Sequence, residues 1–163
     1  RDHYYWDQLG SERLRCLREL PQETEFWFSG RRFRLFHGRP VMPELYTVAD
    51  DRELLQSFLV DAKGVPYDGL LYADAHRQAM RTLSPGIIVN TGSVGNAMGV
   101  PKCCYALLEG EEGRTPAPLE IRLRQLDYNR EQAVRDAEAA DGLPIKEAYI
   151  REIQTGIYSR SHG

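Results

Sequence analysis

Apolar positions recur along the chain with two different periods. Leu14, Leu17 and Leu20 stand three residues apart, the spacing of one helical face. Ser11 is placed to cap the first free amides of that run and Pro21 to end it, which predicts a short amphipathic helix. Thr24 to Phe28 and Arg32 to Phe36 are aromatic-rich runs with strand alternation, separated by Ser29-Gly30-Arg31. They predict a β-hairpin whose second strand leads straight into His37. After a proline-containing loop, Leu54, Leu55, Phe58 and Leu59 share one face of a helix predicted from Asp50 to Val60, with Asp50 or Asp51 as its cap.

Three short apolar runs follow, Asp68 to Ala73, Gly86 to Asn90 and Lys102 to Leu108, each bounded by Gly, Pro or Asn, and then a longer alternating strand from Ala117 to Leu126. Asn129 to Ala140 and Pro144 to Ile153 read as helices broken at Asp141-Gly142-Leu143, with Pro144 in the first turn of the second. Sheet in the middle and helices at the end give a mixed class, α+β of the α/β sandwich type, with sheet layers flanked by helices. The expected organisation is a single domain over residues 1–163, in which 128–163 is a terminal helical segment.

Composition narrows this picture. A chain of 163 residues buries roughly two thirds of the surface its unfolded form exposes and needs no disulfide or structural metal merely to fold. With 21 Lys+Arg against 24 Asp+Glu, the net charge is −3, which argues against broad binding of nucleic-acid phosphates while leaving local basic patches open. The longest apolar runs are four to five residues, far short of the ~18–20 that a membrane span requires. Cys16, Cys103 and Cys104 are odd in number and two are adjacent, so neither a disulfide framework nor Cys-x-x-Cys metal spacing is present. A reducing, cytoplasmic location is expected. The chain opens Arg-Asp-His-Tyr-Tyr-Trp without methionine, signal or transit segment, and the true N-terminus is expected to lie upstream.

Two of the four histidines fall at the ends of predicted strands, His37 in His37-Gly38-Arg39-Pro40 and His76 in Ala73-Asp74-Ala75-His76. Catalytic groups gather on such loops. Taken alone, His37 reads as a turn residue. Asp74 and His76, one residue apart, would project to the same side of an extended loop and can grip adjacent divalent ions, a pattern that also arises by chance. Asn90-Thr91-Gly92-Ser93-Val94-Gly95-Asn96 could present amides and hydroxyls to an anion, or be a turn whose glycines relieve backbone strain; it lacks the P-loop and dinucleotide signatures. The adjacent Cys103 and Cys104 read as packing residues on a strand. The aromatics Tyr4, Tyr5, Trp6, Trp27 and Phe28 read as core or helix-to-sheet packing, with a substrate wall at Tyr4 or Tyr5 as the alternative. His3 and His162 are expected in solvated, flexible ends, and the charged segment from Asn129 to Gly163 as a solvated helical face on the sheet edge.

Together and in this order, Leu20-Pro21, Gly30-Arg31-Arg32 leading to His37-Gly38-x-Pro40, the Asp68 to Arg77 segment, Val89-Asn90-x-Gly92-Ser93-Val94-Gly95 and Pro101 to Leu108 carry a resemblance. From about residue 1 to about residue 126 the chain resembles the second half of the calcineurin-like metallophosphoesterase family, in its small bacterial phosphodiesterase/phosphatase branch. The resemblance implies a hydrolase in which two divalent metals draw charge from phosphoryl oxygens and supply a nucleophile near neutral pH. His37 matches a ligand of the second metal, His76 a ligand of the first, and Asp74 stands where the family has a histidine ligand of the second. A carboxylate there favours manganese or magnesium, with iron or zinc as alternatives. Asn90, Gly92 and Ser93 match the phosphate-binding or site-shaping turn. Arg1-Asp2 matches the end of a block in which many members carry a catalytic histidine, so Arg1 would stabilise phosphate charge there.

The family's remaining ligand blocks belong to its first half, which this chain lacks, so the fragment alone is expected to be inactive. The implied substrate is a small phosphate ester or nucleotide, with no membrane partner, and a homo-oligomer stays open. The competing reading is a catalytically degraded relative, similar to the retromer subunit with this fold, that binds proteins. Loss of Gly and His from the Gly-His-x-His block and Arg1 at the catalytic position favour it; His37, His76 and Asn90-x-Gly92-Ser93 oppose it.

Overall fold

A computed structural model describes residues 3–38, 57–84 and 86–160. The chain enters through α1 (His3–Glu19), which begins well before the predicted Ser11 because Tyr4 to Leu9 already turn helically; it kinks at Gly10, φ 73° and ψ 167°. No residue of α1 is buried. Tyr5 and Trp6 are about half exposed, which corrects their reading as core aromatics. His3 lies in this helix, exposed as expected, with its ring edge-on to Trp6, and His162 lies outside the described residues.

The predicted hairpin forms as β1 (Glu23–Phe28) and β2 (Arg31–Phe36), antiparallel in a register that pairs Phe26 with Phe33. Its turn residues Ser29 and Gly30 both have positive φ, 50° and 74°, as the tightest hairpin turns require. β3 (Gly69–Tyr72), β4 (Ala79–Thr82) and β5 (Ile87–Asn90) complete a five-stranded sheet in the order β1-β2-β3-β5-β4. Strands β2, β3 and β5 are mutually parallel, while β4 runs antiparallel to β5. β4 has no counterpart among the predicted strands, because Ala-Met-Arg-Thr is too short and too polar to stand out. β6 (Cys103–Glu109) and β7 (Glu120–Leu126) form a separate antiparallel ribbon.

Strand alternation divides the core into two layers. Leu70, Tyr72 and Ile88 point to one face, where they meet Phe36, Leu59, Tyr67 and Leu83. Leu71 and Val89 point to the other and, with Phe33, pack against Ala106, Leu108, Ile121 and Leu123 of the ribbon. The central strands are therefore apolar on both faces, which is why β3 and β5 read as continuous apolar runs. Cys104 is buried, Cys103 half-buried and Cys16 exposed, all three free. Burial pushes the Cys104 thiol up, away from reactivity.

α2 (Arg130–Ala139) is capped by Asn129, whose Oδ1 accepts the Gln132 N–H at 2.9 Å. α3 (Lys146–Thr155) starts later than Pro144: Ile145, in a left-handed conformation with φ 51°, forms its N-terminal boundary and leaves the proline outside the first turn. The helix predicted from Asp50 to Val60 falls mostly outside the described residues; its last residue, Val60, instead forms a β-bridge with Pro66. Among the described residues no helix is long and apolar enough to cross a membrane.

Candidate functional site

Because β2, β3 and β5 are parallel, their C-terminal ends deliver His37, Asp74 and Asn90 to one edge of the sheet, and the antiparallel β4 starts there as well. Ligand sites of parallel sheets form at this edge. The loops are tied together by backbone: the His37 carbonyl accepts hydrogen bonds from both the Ala73 and the Asp74 N–H, each at 2.9 Å. That places His37 Nε2 3.8 Å from Asp74 Oδ1, with side chains 75% and 42% exposed.

His76 is held differently. Its N–H donates to the Ala73 carbonyl at 2.8 Å, which closes a tight turn with Asp74 and Ala75 at its centre. His76 itself adopts φ 53°, a left-handed conformation uncommon for a residue with a β-carbon. The segment is thus a turn and not the extended loop expected from the Asp74-x-His76 spacing. Its ring Nδ1 lies 2.9 Å from the Asn96 carbonyl oxygen. A carbonyl can only accept, so Nδ1 carries a proton, and in the neutral imidazole the lone pair is on Nε2.

The turn after β5 uses its polar groups on itself. Asn90 Oδ1 accepts the Gly92 N–H at 2.9 Å, Ser93 Oγ accepts the Asn96 N–H at 3.1 Å, and the Ser93 carbonyl accepts the Cys104 N–H at 2.9 Å. Ser93 and Gly92 therefore shape the loop. Asn90 is 1% exposed and its Nδ2 has no hydrogen-bond partner among the described residues, an amide donor left over for a ligand oxygen or a water. Arg1 lies outside the described residues.

These groups fit a divalent cation in part. Ligand atoms sit ~2.0–2.2 Å from such an ion, so two that share one stand within ~4 Å of each other. The 3.8 Å between His37 and Asp74 meets that limit. A histidine whose Nδ1–H is engaged by a backbone carbonyl, as in His76, has the tautomer that ligation through Nε2 requires. Among the described residues, no three His, Cys, Asp or Glu side chains are grouped closely enough to hold an ion, so the described donors form only part of a site.

One buried group of this region is absent from the sequence reading. Glu152 of α3 is fully buried and accepts hydrogen bonds from Asn96 Nδ2 at 2.9 Å and the Ser159 N–H at 3.0 Å, with Arg160 Nη2 3.0 Å away. Burial would raise its pKa. The hydrogen bonds from Asn96, Ser159 and Arg160, with the Arg160 charge, outweigh burial and hold it below the usual carboxylate range. The solvated-face reading of this segment fails at Glu152. Its signal was the spacing Tyr149, Glu152, Ile153, Gly156, which puts a charge within an apolar helical stripe.

The chain is similar in structure to a hypothetical protein from Pyrococcus horikoshii, with a TM-score of 0.63 and 20% identity over 92% of this chain and 56% of that one. It is likewise similar to a metallophosphoesterase from Sphaerobacter thermophilus, with a TM-score of 0.62 and 19% identity over 94% of this chain and 65% of that one. It therefore spans less than two thirds of either. No family model and no curated protein matches the sequence. The likeness establishes the fold, the mixed α+β sheet-and-helix architecture of the metallophosphoesterase-like neighbours.

Proposed function

We propose that this chain is the C-terminal part of a metal-dependent phosphoesterase that hydrolyses phosphodiesters or phosphomonoesters. The observation that carries the reading is the His37–Asp74 pair, 3.8 Å apart, at the C-terminal edge of a sheet with this fold. His37 and Asp74 would hold one divalent ion and His76, through Nε2, would contribute to a second. Manganese suits the mixed nitrogen and carboxylate donors. Bound metal would supply Lewis acidity toward phosphoryl oxygens.

The chain's own residues orient and shape. The His37 carbonyl fixes the Asp74 backbone, the Asn96 carbonyl fixes the His76 tautomer, and the buried Asn90 amide is available to a phosphate oxygen. Arg1 would stabilise charge on the ester. The substrate class is a small phosphate ester or nucleotide, the compartment a reducing cytoplasm, and the remaining ligands belong to residues beyond this chain.

The test is hydrolysis of bis-p-nitrophenyl phosphate by the full-length protein with Mn²⁺ and with EDTA. Chelator-sensitive turnover is the expected result. A folded protein without turnover in any divalent metal would favour a second reading, a protein-binding relative of the fold. The exposed Tyr5, Trp6, Leu17 and Leu20 on and just after α1 supply the apolar surface that reading needs.

A further inference from the structure

The loop from Asn96 to Val100 is gripped from both sides. On one side it holds His76 at two points: the Asn96 carbonyl meets ring Nδ1, and the Met98 N–H donates to the His76 carbonyl, both at 2.9 Å. On the other it is fastened to the end of α3. Glu152 binds the Asn96 amide, the Gly156 carbonyl accepts the Gly99 N–H at 2.8 Å, and a β-carbon on Gly156 would come within 3.0 Å of the Val100 nitrogen. Gly156 is left-handed at φ 69°, so glycine serves there both for conformation and for this close approach.

Asn96 and Glu152 are 6% and 0% exposed. A buried carboxylate is tolerated only when neighbouring donors satisfy it, and here Asn96, Ser159 and Arg160 do so. Such a charge-assisted contact to Asn96 Nδ2 is directional and short, and it sets where the Asn96 main chain, and hence its carbonyl, can lie.

We propose that Glu152 is a positioning residue for His76: acting through Asn96, it holds the imidazole in the tautomer with Nδ1 protonated and the lone pair on Nε2. The C-terminal helical segment thereby tunes a ligand supplied by the turn after β3. The proposal deepens the phosphoesterase reading and rests on it only for the use to which the Nε2 lone pair is put.

The experiment compares full-length wild-type protein with Glu152→Ala and Glu152→Gln. Histidine ring ¹H–¹⁵N correlation spectra of the metal-free protein are recorded first, followed by calorimetric titration with Zn²⁺. In wild type the His76 Nδ1 is protonated. Glu152→Ala is expected to give a mixed tautomer at His76 with His37 unmoved, and to weaken Zn²⁺ binding at least about tenfold, within the range seen when the partner of a metal-binding histidine is removed. Glu152→Gln, which keeps an oxygen acceptor for Asn96, recovers most of the wild-type signal.

A folded Glu152→Ala protein with an unchanged His76 tautomer overturns the proposal and leaves the phosphoesterase reading standing. A tautomer that shifts in a protein binding no Zn²⁺ supports the positioning role and counts against the phosphoesterase reading instead. If Glu152→Ala does not fold, Asn96→Ala, which removes the amide through which Glu152 acts but keeps the Asn96 carbonyl and leaves Glu152 its contacts with Ser159 and Arg160, carries the same comparison: a shifted tautomer supports the proposal and an unchanged one overturns it.

Discussion

Gly38 packs so closely on Asp74 that a β-carbon built at position 38 would lie 2.2 Å from the Asp74 β-carbon and 2.5 Å from its Cγ. These are the inner atoms of the Asp74 side chain, so rotation about the outer bonds cannot relieve the overlap. Only a shift of the 37–38 or 73–74 backbone would do so, and both are tied by the hydrogen bonds to the His37 carbonyl. The glycine of His37-Gly38 thus serves the approach of a candidate ligand. Gly38→Ala should destabilise the fold by ~1–3 kcal/mol, the usual cost of overpacking, and should displace Asp74 from His37. Urea unfolding measures the first effect and metal stoichiometry the second; a stable, fully metal-loaded Gly38→Ala protein would show that the contact has no functional weight.

Asp74→Ala tests the carboxylate itself. Asp74 is 42% exposed on its side chain and, among the described residues, faces His37, itself 75% exposed, so its removal strands no buried group there and should cost little stability. If Asp74 is a ligand, the full-length protein should lose one of two divalent ions by calorimetry, and Asp74→His should restore it. Unchanged stoichiometry in Asp74→Ala would remove this residue from the site.

Most of the fold was legible because its strands obey local rules. The aromatic runs on either side of Ser29-Gly30 could hardly be anything but a hairpin, and apolar β3 and β5 are bounded by turn residues. β4 was not legible. Met80 is about half exposed, and the strand exists because Ala79–Thr82 pairs with the edge of β5, a long-range relation with no local imprint. At the site, strand-end position picked out His37 and His76, and Asp74 entered through its spacing to His76 and the family resemblance; the structure sets Asp74 beside His37, 3.8 Å away. The spacing of Asp74 and His76 misled, because the hydrogen bond from His76 to Ala73 turns the chain back. Nothing within ten residues of His76 could have announced Glu152, since that partner reaches it through Asn96 from the far end of the chain.

Tyr67 offers a pH test away from the site. Its hydroxyl donates to Glu25, and the Arg32 guanidinium lies 4.3 Å from the ring centre while pairing with both Glu25 and Asp61. Burial first, and then the hydrogen bond and charge of Glu25, push its pKa up to about 12. The folded state therefore holds the phenolic proton more tightly than the unfolded chain, where tyrosine titrates near ~10. The corresponding stability is complete below about pH 10 and is lost as pH rises through about 12. Phenolate absorbance, compared with that of a Tyr67→Phe variant, should show Tyr67 titrating well after exposed tyrosines, and Glu25→Gln should bring it down partway, since burial persists. A Tyr67 that ionises with the exposed tyrosines would refute the network.

Ser29 joins the two sheets and makes the sharpest stability prediction. It is 1% exposed, and its Oγ donates to the Pro118 carbonyl and accepts the Glu111 N–H, both at 2.9 Å. The hairpin turn is thereby anchored to the residues flanking the β6–β7 ribbon. Ser29→Ala removes both bonds and leaves the Glu111 amide and Pro118 carbonyl without this partner, at a cost of ~1–3 kcal/mol. Ser29→Gly removes the same bonds but also the β-carbon from a residue at φ 50°, which returns ~1 kcal/mol of left-handed strain. Ser29→Gly should therefore be the milder variant, despite being the larger truncation. Urea unfolding midpoints of the two variants, at unchanged m-value, decide it; a glycine variant less stable than the alanine one would mean that lost β-carbon packing and the chain entropy of glycine outweigh the relief of left-handed strain at this position.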